Sequence, residues 1–272
     1  MDVAEDRGSD RDPSGGAIEG EGLAGLLQEA VDLTRQAGDL TLRYFRSLEL
    51  AVEDKDDGTP VTEADRRAER LIREELDRRH PGDGVFGEEE EEKPSETGRR
   101  WIIDPIDGTK AFTHGVALYS NLLAIEDEHG IAVGVINVPA LGETVYAARG
   151  LGCFYNGVRA HVSDRTTLAG SYLSSCGFTD WEEADLLAVK RADMVMRTWG
   201  DGYGYALVAT GRIDAMVDPS AALYDLAPMP VILEEAGGRF SDWSGALTPD
   251  GGNGIASNGR LHGQLLDLLG QS

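Results

Sequence analysis

The stretch Trp101 to Thr109 reads WIIDPIDGT: an apolar run into Asp104, a stop at Pro105, then Asp107, Gly108 and Thr109 where a helix can start. Two carboxylates at a strand end, a glycine that admits a ligand close to the backbone, and N–H groups at Gly108, Thr109 and Lys110 suit a phosphate or a cation. The same residues also make an ordinary turn rich in Asp, Pro and Gly. Glu88 follows Gly87 and heads a run of glutamates, Glu88 to Glu92, which alone reads as a solvated acidic loop. Asp225 opens a helical stretch ending in Glu235-Ala236-Gly237-Gly238, and Asp65 stands three residues after Thr62; each also has a helix-capping role.

The elements that must position these residues are legible from periodicity. Apolar residues at Leu23, Leu27, Ala30, Ala37, Leu40 and Tyr44 predict one amphipathic helix over Leu23 to Leu48. Lys55 to Pro60 is a turn cluster, and the Thr62–Asp65 capping box begins a second helix running to about His80. Short β-rich runs at Val85 to Gly87, Trp101 to Asp104, Leu118 to Ile125, Ile131 to Val138, Glu143 to Ala148 and Gly152 to Tyr155, with an Asn156-Gly157 turn, predict a mixed or antiparallel sheet. After Ser163 strands alternate with helices: Ser171 to Ser175, a helix near Glu182 to Ala192, Tyr203 to Gly211, Ile213 to Val217, Asp225 to Ala236, Arg239 to Asp242, Gly254 to Ser257 and a closing helix from Leu261. The expected division is a disordered acidic tail over 1–22, an α+β lobe over 23–165 carrying the acidic motifs, and an α/β lobe over 166–272.

The 272 residues, 41% of them apolar, suffice for a real core. With 25 basic and 49 acidic residues the net charge is −24, which repels nucleic acid and anionic membranes. No run approaches the roughly 20 apolar residues of a membrane span, and the polar start lacks a secretory pattern, so a cytoplasmic location is expected. Cys153 and Cys176 share no metal or disulfide spacing and read as two reduced thiols.

Taken together and in order, Lys55-Asp56-Asp57-Gly58-Thr59-Pro60-Val61-Thr62 with Asp65, Gly87-Glu88-Glu89, WIIDPIDGT, and Tyr224-Asp225-Leu226-Ala227 with Glu235-Ala236-Gly237-Gly238 resemble the inositol monophosphatase family of magnesium-dependent, lithium-sensitive phosphatases. The resemblance spans about residue 23 to the end. It implies a mixed α/β fold, an αβαβα layered sandwich, with two or three Mg²⁺ ions, Mn²⁺ being a possible substitute. It implies that Glu88, Asp104 and the Ile106 carbonyl hold the first ion, that Asp104, Asp107 and Asp225 hold the second, and that Glu88 touches any third. Thr109 and Glu88 would orient and deprotonate the attacking water, Asp65 would support Thr109, and the Gly108 and Thr109 N–H groups, beside Asp107, would hold the phosphate. One departure is Tyr224, where the family usually has Trp. By the same analogy the chain would form a homodimer.

Independent physics supports the metals. Two unit charges about 4 Å apart repel by about 4 kcal/mol at an effective dielectric near 20, so four converging carboxylates need countercharge. An all-oxygen donor set favours Mg²⁺ or Mn²⁺ over zinc. The haloacid-dehalogenase pattern, Asp-x-Asp, does not fit, because two residues separate Asp104 from Asp107 and nothing in that scheme uses Glu88 or Asp225. For substrate, Gly200-Asp201 followed by Tyr203-Gly204-Tyr205 resembles the histidinol-phosphate phosphatase branch, and Asp218 stands seven residues before Asp225 at the family's substrate-contacting acidic position. Two carboxylates, Asp201 and Asp218, suit an ammonium-bearing phosphate ester, with inositol monophosphate or a related sugar phosphate as the alternative. A non-enzymatic scaffold is disfavoured by the intact acidic set.

Overall fold

A computed structural model describes residues 19–47, 52–54 and 60–270. Of the expected tail, residues 1–18 lie outside the described residues, as do residues 55–59 of the expected turn. Residues 19–22 are not tail: they form the first turn of helix α1, Glu19–Leu42, ahead of the stripe that starts at Leu23. The helix stops short of the expected Leu48, where the Arg43 and Tyr44 N–H groups donate to carbonyls three residues back and Arg46 takes a left-handed φ of 60°. Strands β1 (Val52–Asp54) and β2 (Pro60–Thr62) pair antiparallel before helix α2, Glu63–Arg79, whose Thr62–Asp65 capping box forms as expected.

The first large sheet has seven strands in sequence order: β3 (Gly84–Gly87), β4 (Arg100–Asp107), β5 (Ser120–Asp127), β6 (Gly130–Val138), β7 (Glu143–Ala148), β8 (Gly152–Tyr155) and β9 (Val158–Arg159). Only β3 and β4 pair in parallel; the other neighbours are antiparallel. Helix α3, Thr109–Thr113, follows β4. The remaining elements are β10 (Tyr172–Ser174), α4 (Glu183–Arg191), β11 (Val195–Arg197), α5 (Asp201–Ala209), β12 (Ala215–Asp218), α6 (Leu223–Leu226), α7 (Met229–Glu235), β13 (Arg239–Ser241), β14 (Gly254–Ser257) and α8 (His262–Leu269). Their strands make a mixed sheet in the order β11-β10-β12-β14-β13.

Side-chain alternation along the strands dictates the layers. Trp101, Ile103, Leu123, Val133 and Val135 point to one face and pack under α1 and α2. Leu122, Ile136 and Val138 point to the other, against α5 and α7, whose opposite sides meet Met216, Phe240 and Ala256 of the second sheet. Leu173, Ala215, Val217 and Ile255 then face α4 and α8. The result is the expected αβαβα sandwich, with α5 and α7 as a central layer common to both sheets. Each buried Val, Leu and Ile among these contributes about 1.5–3 kcal/mol relative to exposure, which holds the strand ends that carry the site. No helix among the described residues is long and apolar enough to cross a membrane.

Two expectations fail for reasons of proline chemistry. Pro105 does not end β4: the strand continues to Asp107 through a bulge between Asp104 and Asp107, which absorbs the missing N–H, while Asn121 Nδ2 donates to the Pro105 carbonyl at 2.6 Å. The expected helix over Asp225 to Ala236 is two helices, α6 and α7, separated at Pro228.

Candidate active site

The bulge in β4 turns Asp104 and Asp107 toward the same cleft and leaves the chain at Gly108, whose φ of 79° is left-handed and cheap only for glycine. A Cβ there would also stand 2.7 Å from Asp201 Oδ2. Thr109 then opens α3, and its hydroxyl donates to the Ile106 carbonyl at 3.0 Å. Asp107 Oδ2 accepts from the Ser120 hydroxyl and from the Gly202 N–H, both at 2.5 Å, so β5 and the start of α5 fix this carboxylate. Asp225 enters from α6, with Oδ2 accepting the Ala222 N–H at 2.7 Å.

Asp104, Asp107 and Asp225 each offer an oxygen within 4.8 Å of the others. Burial first, then the charges of Glu88, Asp107 and Asp225, hold the Asp104 carboxyl well above its ordinary range; for Asp107 the order is burial, then Asp201 and Asp225. Burial also pushes Asp225 up to about 7, with Glu88 adding to the shift. Asp104 Oδ1 is buried without a hydrogen-bond partner. A buried, unpartnered carboxylate oxygen in an all-oxygen cluster is what a hard divalent cation requires of its site, so the residues present fit Mg²⁺ or Mn²⁺.

A second acidic pair lines the same cleft beside this cluster, differently made. Asp218, at the end of β12, is 2% exposed; its Oδ2 accepts from the Tyr205 hydroxyl at 2.8 Å and its Oδ1 from the Cys176 thiol at 2.8 Å and N–H at 3.3 Å. Burial pushes it up to about 6, against these hydrogen bonds. Asp201 begins α5 with a left-handed φ of 56°, a conformation Asp tolerates better than most side chains, and its N–H donates to Cys176 Sγ at 3.3 Å. Burial raises its carboxyl, while Cys176 and the Lys110 ammonium act the other way.

Glu88, Asp104, Ile106, Asp107, Gly108, Thr109, Asp201, Asp218 and Asp225 thus line a single cleft of about 660 Å³. Asp65 does not line it. Its Oδ2 is taken by the Thr62 N–H (2.9 Å) and hydroxyl (2.5 Å), its Oδ1 has no partner, and burial pushes it up to about 7. The support expected of Asp65 for Thr109 is not a direct hydrogen bond here: Asp65 Oδ2 serves the capping box, Oδ1 has no partner, and the Thr109 hydroxyl donates to the Ile106 carbonyl. Tyr205, part of the Tyr-x-Tyr segment, combines a core ring with a hydroxyl on Asp218; two participants escaped the sequence, Ser120 and Cys176, the latter expected only as a reduced thiol. No spacing signals them, since each comes from a different element.

A model of the inositol monophosphatase family matches residues 23–272. A histidinol-phosphatase of Chlorobaculum parvum is 45% identical over 249 residues, covering 88% of this chain and 94% of the relative. A histidinol-phosphatase of Mycobacterium tuberculosis is 40% identical, covering 89% and 97%. Among solved structures, the extragenic suppressor protein SuhB of Bartonella henselae superposes with a TM-score of 0.85 at 29% identity, covering 91% of this chain and 99% of that one.

Proposed function

The chain belongs to the inositol monophosphatase family, and from that premise we propose that it hydrolyses histidinol phosphate to histidinol and inorganic phosphate. The observation that carries the reading is that one cleft holds a carboxylate cluster fit for hard cations and, beside it, a second acidic pair, Asp201 and Asp218, of which Asp218 is satisfied by protein donors. The first suits a phosphate through bound cations; the second suits the ammonium of the leaving alcohol.

Asp104, Asp107 and Asp225, with Glu88 and the Ile106 carbonyl, would hold Mg²⁺, which when bound supplies countercharge, lowers the pKa of the attacking water and stabilises the oxygens entering and leaving. The chain's own groups do the rest. Glu88 and the Thr109 hydroxyl are assigned to orient the water, with its proton passing to a Glu88 carboxylate oxygen. The Gly108 and Thr109 N–H groups hold the phosphate, and the missing Cβ of Gly108 lets the Asp201 carboxylate come close. Asp201 accepts from the substrate ammonium; Asp218, engaged by Tyr205 and Cys176, supplies negative potential behind it. The reading extends to a place in histidine biosynthesis, a cytoplasmic location and a homodimeric assembly, the last by family analogy and testable by light scattering.

The test is phosphate release by purified protein from histidinol phosphate with Mg²⁺, with EDTA added, and from inositol 1-phosphate. Higher catalytic efficiency on histidinol phosphate and loss of activity in EDTA are expected. EDTA-insensitive release would reject the metals; preference for inositol 1-phosphate would reject the substrate; silence on every ester would leave the scaffold reading.

A further inference from the structure

Glu69 is a buried carboxylate that the chemistry above does not use. It sits on α2, one helical turn past Asp65, and is 0% exposed. Its Oε2 accepts the Glu89 N–H at 2.8 Å, and its Oε1 accepts the Glu90 N–H at 3.2 Å and Arg73 Nε at 2.7 Å. Arg73 in turn donates to the Glu90 carbonyl at 3.1 Å, so both ends of that residue's peptide groups are gripped from α2. On the other side of Glu88, a Cβ on Gly87 would run into the Glu69 carboxylate; only glycine lets the helix and the strand end come this close. The base of the loop is closed by paired backbone hydrogen bonds between Val85 and Lys93, 2.9 Å each.

These contacts act on a segment that physics would otherwise spread. Glu88 to Glu92 are consecutive like charges, and a chain of that kind extends to separate them. Burying an ionised carboxylate such as Glu69 is itself costly, and burial raises its pKa while the Glu89 and Glu90 N–H groups and Arg73 oppose the shift. The compensated carboxylate is aimed at the backbone that flanks Glu88, not at the cleft.

We propose that Glu69, held by Arg73, is a positioning residue that fixes the Glu88 loop so that Glu88 meets Asp104 and Asp225 at the cation site. The proposal rests on the metal reading above and deepens it. Glu69→Gln keeps the shape but turns one acceptor into a donor facing N–H groups, so it loosens the grip without opening a cavity. It weakens Mn²⁺ binding, read by calorimetry on the full chain, about tenfold, the scale at which groups that orient metal ligands act. Gly87→Ala, which keeps the Glu69 side chain but pushes its carboxylate aside, has the same direction of effect. Glu91→Gln, which removes the same charge from an exposed position of the loop, changes the affinity by less than about twofold. In the absence of any cation, hydrogen exchange at the Glu89 and Glu90 amides accelerates at least about tenfold in Glu69→Gln, a local change that general destabilisation, followed by thermal unfolding, does not reproduce. Wild-type protein that binds no Mn²⁺ would overturn the metal reading and, with it, the purpose assigned to Glu69. Wild-type protein that binds Mn²⁺ while Glu69→Gln binds it equally, or a loss as large in Glu91→Gln, would overturn the role of Glu69 alone.

Discussion

Two acidic groups line one cleft, and the protein treats them oppositely. Asp218 is buried with both oxygens engaged by protein donors, Tyr205 and Cys176. Asp104 is as deeply buried, yet one of its oxygens has no donor and its nearest polar neighbours are other carboxylates. A carboxylate supplied with donors is complete as it stands; one left among like charges is built for something that arrives from solution. The difference in donors, rather than the total negative charge, separates the cluster that fits a cation from the pair proposed to meet the substrate ammonium.

The strongest way to break that comparison is Asp104→Asn. Catalytic efficiency should fall at least about a thousandfold, about 4 kcal/mol in transition-state stabilisation, in steady-state phosphate release, and excess Mg²⁺ should not restore it. A loss under tenfold would mean that the cluster is not the cation site. The next largest effect separates the two groups: Asp201→Asn should cost about 1.5 to 3 kcal/mol on histidinol phosphate and leave inositol 1-phosphate nearly untouched. Equal losses on the two esters would remove the argument from the substrate ammonium.

Protonation sharpens the contrast in stability. Asp225 has a folded pKa of about 7 against an ordinary 3.8, because of burial first. The stability it contributes is therefore present in full below about pH 4 and lost as pH rises through about 7. Without cations, that share of stability falls between about pH 4 and 7; with Mg²⁺ the charged carboxylates are compensated. The gap in Tm between saturating Mg²⁺ and EDTA, followed by calorimetry, should widen by about 5 °C over that range. A gap independent of pH would contradict the assignment. The smallest effect belongs to the carboxylate already supplied with donors, where Tyr205→Phe removes one from Asp218. It should cost about 1 to 2 kcal/mol in denaturant unfolding while leaving Mg²⁺ affinity unaltered.

Much of this was legible before any fold was known. WIIDPIDGT places two carboxylates and a glycine within a few residues, a spacing fixed by covalent geometry wherever the segment goes, and the Thr62–Asp65 box is a contact between residues one helical turn apart. Periodicity likewise marked the strands and helices of the sandwich. What failed was also local, but depended on neighbours. Pro105 reads as a strand stop, yet β5 supplies partners on either side of a bulge; Pro228 breaks a helix that its apolar residues alone would continue. Asp65 was assigned to Thr109 by resemblance, but the helix cap at its own residue holds it.

Residue types, their short-range spacing and the balance of charge were thus determined by the sequence alone, because they depend on bonds and on helical or pleated repeats. That Asp225 reaches Asp104 across about half the chain, that Tyr205 and Cys176 complete Asp218, and that Glu69 reaches around Gly87 to the Glu88 loop was decided by tertiary structure. The physical reason is that a carboxylate's protonation and partners depend on water being excluded and on groups brought up from other elements, and only packed layers create those conditions.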